Sequence, residues 1–192
     1  MVKKSKENNT AGRYPTGVSR VGQCLIARPS AAQGFFADAV VFVYEDSPAG
    51  TAGVVLNKKS QMCLRDLAMN AGIDFPKGIT PIYQGGPVNT RAVMLLHSDD
   101  WFSSNTLNTG TGVNISSDHL MIDKLLDYNT PRQYRLVAGA SVWAPGQLDF
   151  EIDRGIWLTA PLSMDLIFGL EGRAQWDRAI ERAGEYFVKN YF

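Results

Sequence analysis

Cysteine and histidine are scarce in this chain, with two of each among 192 residues. Cys24 and Cys63 lie 39 positions apart with no C-x-x-C spacing, so neither a zinc framework nor a disulfide scaffold is indicated. Both thiols are expected to be reduced, as in a cytoplasmic protein. Long apolar runs are missing as well. No stretch approaches the roughly 18 apolar residues of a membrane span, and the basic N-terminus lacks the apolar segment of a secretory signal. The expectation is a soluble, cytoplasmic protein without membrane association, and neither a cofactor nor a metal is called for. The sequence also lacks a phosphate-binding P-loop, a zinc finger, a convincing helix-turn-helix and any repeat of roughly 20–50 residues.

Net charge is absent overall but present locally. Residues 1–20 carry Lys3, Lys4, Lys6, Arg13 and Arg20 against Glu7, a balance of +4 that leaves −4 on residues 21–192. An acidic body repels phosphates, so direct DNA binding is not expected without the basic tail. A flexible tail over 1–20 and a single domain over 21–192 follow, since a chain of this length buries roughly 70% of its unfolded surface in one core.

What is present is apolar patterning with frequent turns, from 45% apolar residues, 18 glycines and 9 prolines. Residues 21–27, 39–44 and 52–57 read as strands, and 64–71 as a helix with Leu64, Leu67, Ala68 and Ala71 on one face, ending at Gly72. Residues 81–84 and 91–97 are expected to pair as a hairpin across Gly85-Gly86-Pro87. A loop over 98–112 precedes a helix capped by Ser116 or Ser117 and running to about residue 129. Then come a strand over 134–141, a helix opening at Pro145, and short strands at 157–158 and 166–168. The last helix has Trp176, Ala179, Ile180, Ala183 and Phe187 at core spacing. Strands outnumber helices and hairpins outnumber crossovers, which favours an α+β fold.

The order and spacing of several short motifs carry a resemblance. They are Leu25-Ile26-Ala27 with Pro29, Phe35 before Val40-Val41, and Gly53 with Val55-Leu56-Asn57-Lys58. Gly85-Gly86-Pro87-Val88, Leu96-His97, Gly139, Trp143, Gly146-Gln147-Leu148, Glu151-Ile152, Trp157-Leu158, Phe168 and Trp176 follow. Together, from about Cys24 to Gly184, the chain resembles the YqgE/AlgH family of bacterial proteins as a divergent member. The resemblance implies an α+β fold with a branched, mostly antiparallel sheet that includes a small closed β-barrel, flanked by helices. Members are commonly labelled transcriptional regulators, a label attached to no DNA-binding motif or catalytic residue set. The chain departs from the family pattern at Asp46, where histidine is usual, and at Lys59, Ala140 and Asp149, where proline, tyrosine and glutamate are usual.

Candidate chemistry concentrates between Trp143 and Trp157. Asp149, Glu151 and Asp153 offer carboxylates to a magnesium-dependent reaction, but only Asp149 and Asp153 share a helical face, with Glu151 roughly opposite. A helix dipole and an ion pair, with Arg154 as the partner, explain the acids equally well. Trp143, Trp157 and Trp176 suit either core packing or a stacking pocket whose base edge Asn57 and Gln147 would read. Gly85 and Gly86 suit either a tight turn or an anion nest. His97 cannot activate the adjacent Ser98 from the opposite face of a strand, though Asp99 and Asp100 keep metal ligation open. Ser141 has no histidine after it in the chain, contrary to hydrolase order. The candidate binding residues are Asn57, Lys58, Gly85, Gly86, His97, Trp143, Gln147 and Glu151, for a small molecule or a protein. No catalytic residue is assigned. The leading expectation is a noncatalytic binding or regulatory protein. The alternatives are a metal-dependent hydrolase of nucleic acid or nucleotides, and a DNA-binding protein using Lys58, Lys59 and the tail.

Overall fold

A computed structural model describes residues 19–29, 31–70 and 80–191. The expected basic tail up to residue 18, and the expected helix end at Ala71 and Gly72, lie outside the described residues, as do the side chains of Leu67 and Ala68. The strands are β1 (Gln23–Ala27), β2 (Val40–Ser47), β3 (Gly50–Val55), β4 (Lys59–Cys63), β5 (Pro81–Gln84), β6 (Val88–Ser98), β7 (Leu107–Asn108), β8 (Val113–Ser116), β9 (Tyr134–Trp143) and β10 (Trp157–Pro161). The helices are α1 (Leu64–Asn70), α2 (His119–Leu126), α3 (Gln147–Asp153) and α4 (Gly172–Tyr191).

Ten strands form one branched sheet in the order β10-β1-β2-β3-β9-β6-β8-β7, with β5 joining β9 and β4 joining β5. All ladders are antiparallel except β5 with β9. The architecture is α+β, as expected. The anticipated barrel takes the form of a half-barrel flanked by helices, its end strands β10 and β7 not pairing with each other.

The near-continuous apolar runs of β1 to β3 follow from burial on both faces. On one face Cys24, Ile26, Phe42 and Val54 pack with Trp176, Ala179 and Ala183 of α4. On the other, Leu25, Ala27, Val41 and Val55 pack with Trp143, Leu148 and Trp157. The period-two alternation of strand side chains separates the two sets. On α4 the stripe runs as anticipated until Phe187, which is exposed.

Several boundaries differ from the expectation. β5 and β6 form no hairpin: β9 lies between them, parallel to β5 and antiparallel to β6. The Gly85-Gly86 corner passes so close to β9 that a Cβ on Gly86 would overlap the Ala140 carbonyl. Only glycine allows that approach. The N-cap of α2 is Asp118, whose carboxylate accepts from Met121 N–H at 2.7 Å. Ser116 is instead buried in β8. The expected strand at 166–168 is a π-helical turn over Asp165–Gly169, with Leu166 and Ile167 buried. Part of the expected 98–112 loop is strand β7. Among the described residues no helix is long and apolar enough to cross a membrane.

Candidate functional site

After β9 the chain turns at Ala144-Pro145-Gly146-Gln147. The Gln147 N–H donates to the Ala144 carbonyl at 3.0 Å, and Gly146 has φ 74° and ψ −8°. Proline followed by a left-handed glycine is the pattern of a type II turn. The helix therefore starts at Gln147 rather than at Pro145. This start places Gln147 and Glu151, four apart, on one face of α3, turned toward the end of β9.

Glu151 organises the site. Its Oε2 accepts the indole N–H of Trp143 at 2.9 Å and that of Trp157 at 2.8 Å, and its Oε1 accepts the Gln147 amide N–H at 2.9 Å. The other end of that amide, Gln147 Oε1, accepts the Ala144 backbone N–H at 3.0 Å. The flipped amide would oppose two donors at one end and two acceptors at the other, so the network sets its orientation. Both indoles are buried, whereas Glu151 is half-buried and Gln147 exposed. Phe36 packs edge-to-face on Trp157, centroids 5.6 Å apart.

Trp143, Trp157, Gln147 and Glu151 line a cleft of about 280 Å³ together with Phe36, Pro87, Val142 and Ile156 and residues 31–33. The volume suits a side-chain-sized group, falling at the small end of ligand pockets. Three of the eight candidate binding residues thus converge. Pro87 brings the glycine corner to the rim, although Gly85 and Gly86 themselves are buried.

The other five candidates lie elsewhere. Asn57 spends its amide internally, accepting from Val40 N–H and donating to the carbonyls of Asp38 and Gly172. It has no N–H left to read a base edge. Lys58 donates to the Ala37 carbonyl and stands over the Phe35 ring. Gly85 donates to the Ala138 carbonyl and accepts from Val55 N–H and Ser141 Oγ, so its N–H is not open to an anion.

His97 is fully buried between β8 and the Trp101 ring. Its Nδ1 lies 2.8 Å from the Ser98 carbonyl, which only accepts, so Nδ1 carries the proton and Nε2 accepts from Ser116 Oγ at 3.0 Å. Burial lowers its pKa below the ordinary value. Ser116, also fully buried, gives no access to a substrate, so this serine and histidine are a core network.

The carboxylates near α3 diverge. Asp149 pairs with Arg20, not Arg154, which instead stacks over Phe150. Asp153 is exposed. Among the described residues no three His, Cys, Asp or Glu side chains gather where they could hold a metal. Trp176 belongs to the opposite core and donates to the Ala27 carbonyl. Phe36, Val142 and Ile156 went unread in the sequence because nothing in their spacing ties them to Glu151. The four-residue steps from Trp143 to Gln147 to Glu151 were the available signal.

Comparison with known proteins places the chain in a family. The family model described as AlgH-like matches residues 24–187. A UPF0301 protein of Methylococcus capsulatus is 33% identical over 165 residues, covering 85% of this chain and 91% of the relative. One from Nitrosospira multiformis is 32% identical over 168 residues, with 85% and 89% covered. The solution structure of the AlgH protein from Pseudomonas aeruginosa superposes with a TM-score of 0.75 at 26% identity, over 95% of this chain and 98% of that one. A crystal structure from Corynebacterium diphtheriae gives 0.69 at 25% identity, with 91% of each chain covered. With the match running from β1 nearly to the end of α4, the chain belongs to the AlgH-like family.

Proposed function

We propose that this is a noncatalytic, cytoplasmic binding protein with a regulatory role, and that its ligand contacts the cleft at the end of β9. The observation that carries the reading is the Glu151 network. Three neutral donors hold one half-buried carboxylate at the wall of an aromatic cleft. Packing alone asks for no charge there, and charged groups are rarely brought into such surroundings without a use. Fixed polar groups among apolar walls are what a binding site requires.

Two other readings have weaker support. A metal-dependent hydrolase through Asp149, Glu151 and Asp153 needs carboxylates that converge, and these point to Arg20, to the indoles and to solvent. DNA binding through Lys58 and Lys59 draws on cations already engaged, Lys58 with Ala37 and Lys59 with Glu171 at 2.6 Å.

The four tryptophans provide a test, because Trp143 and Trp157 share Glu151 while Trp101 bonds Asn129 and Trp176 bonds Ala27. A metabolite screen followed by the indole N–H resonances is expected to give hits that move Trp143 and Trp157 and leave the other two in place. Turnover of a phosphoester by the pure protein, abolished by Glu151→Gln, would overturn the reading.

A further inference from the structure

We infer that the cleft takes an organic cation, a primary ammonium or guanidinium on an apolar stem, with the Glu151 carboxylate as its counter-charge. This rests on the cleft being a ligand surface and adds the class of ligand. Charge balance comes first. Every hydrogen bond to Glu151 comes from a neutral N–H, and among the described residues no Lys, Arg or His forms an ion pair with it. Arg20 is engaged with Asp46 and Asp149, Lys58 with Ala37 and Arg154 over Phe150, while the Arg28 guanidinium lies against Gly155 and forms no ion pair with Glu151. A half-buried negative charge without a counter-cation favours a cationic partner and repels an anionic one.

Acceptor capacity comes second. A carboxylate offers about four lone-pair sites. The two indoles fill those of Oε2, whereas Oε1 receives only the Gln147 amide and keeps one site for a further donor. An ammonium or guanidinium N–H completes the set with a charge-assisted bond, about twice as strong as a neutral one.

The walls come third. Trp143, Trp157 and Phe36 offer aromatic surface, which attracts a cation within about 6 Å of a ring centroid. Val142, Pro87 and Ile156 offer aliphatic surface to the stem. At about 280 Å³ the cleft fits a group the size of a lysine or arginine side chain or a small aralkyl amine.

The test compares one body carrying three charges: phenethylamine, phenethyl alcohol and phenylpropionate, each titrated while the four indole N–H resonances are followed. The amine is expected to shift Trp143 and Trp157 with an affinity about tenfold or more above the alcohol's, and phenylpropionate to give no saturable shift. Acetyl-arginine methylamide set against its citrulline counterpart repeats the comparison for a cation borne on a peptide, separating that source from a free amine. Glu151→Gln is expected to abolish the preference for cations, while Asp149→Asn, on the far face of α3, keeps it. Should Glu151→Gln fail to fold, the comparison of amine, alcohol and carboxylate on the unaltered protein decides the ligand class alone. An alcohol that binds as tightly as the amine overturns the cation class and leaves the binding cleft standing. If no probe of any charge moves Trp143 or Trp157, both readings fall.

Discussion

Trp143 and Trp157 stand edge to face, their ring centroids 6.0 Å apart at 80°, and direct both indole N–H groups to a single oxygen of Glu151. Removing that acceptor leaves two buried donors without partners, at about 1–3 kcal/mol each. Glu151→Ala is therefore expected to lower stability by about 2–6 kcal/mol, read from the midpoint of urea unfolding. A loss below about 0.5 kcal/mol, the scale of an ordinary surface substitution, would mean that the indoles find other acceptors.

Two glycine replacements should act in opposite directions. Gly86→Ala drives a Cβ into the Ala140 backbone, which cannot swing aside as a side chain does. A cost of about 3 kcal/mol or more, or failure to fold, is expected. Gly184 is exposed on α4 with open space where a Cβ would go. Gly184→Ala should stabilise by about 0.5–1 kcal/mol through helix propensity. Equal effects from the two, measured by chemical denaturation, would contradict this account of the β5 corner.

His97 sets a pH dependence. Burial holds its folded-state pKa below the unfolded value, so the unfolded chain takes up a proton first. Its contribution is fully present above about pH 6.5 and is lost as pH falls through the lower folded value. Unfolding free energy measured from pH 7.5 down to about 5 should decline, and His97→Asn should flatten that decline. The other histidine, His119, is exposed. An unchanged slope in the variant would assign the effect elsewhere.

The thiols should differ sharply in reactivity. Burial pushes Cys24 up to about 12, while Cys63 is only half-buried. A chromogenic disulfide reagent is expected to titrate Cys63 in the native protein, and Cys24 only after denaturant is added. Prompt labelling of both would show that β1 opens readily.

The sequence was legible where burial wrote a period into it. Cys24 to Ala27, Val40 to Val43 and the Trp176-Ala179-Ala183 stripe declare their elements because each faces a core. β8 was missed because its Asn114 and Ser116 are polar yet buried, Ser116 being paid for by His97. β4 was missed because Lys59, Gln61 and Met62 are exposed. The 166–168 run misled because a short apolar stretch fits a buried turn as well as a strand. At the site, residue types and four-residue spacing exposed Trp143, Gln147 and Glu151. Asn57 and His97 looked equally chemical, and only their saturated hydrogen bonds distinguish them as internal supports.

The placement of β9 bears on how the chain is made. β3, β5 and β6 all pair with it, and all three precede it in the sequence. Without β9, no ladder joins the set β10-β1-β2-β3 to the set β6-β8-β7. During synthesis the edges of β3 and β6 therefore wait, unpaired, for a strand some 40 to 80 residues further on. Waiting edges of this kind recruit wrong partners. A nascent chain stopped just before Tyr134 would hold β1-β2-β3, β4-β5 and β6-β8-β7 as three pieces without a seam, which makes the interval before β9 emerges the period of greatest need for a chaperone.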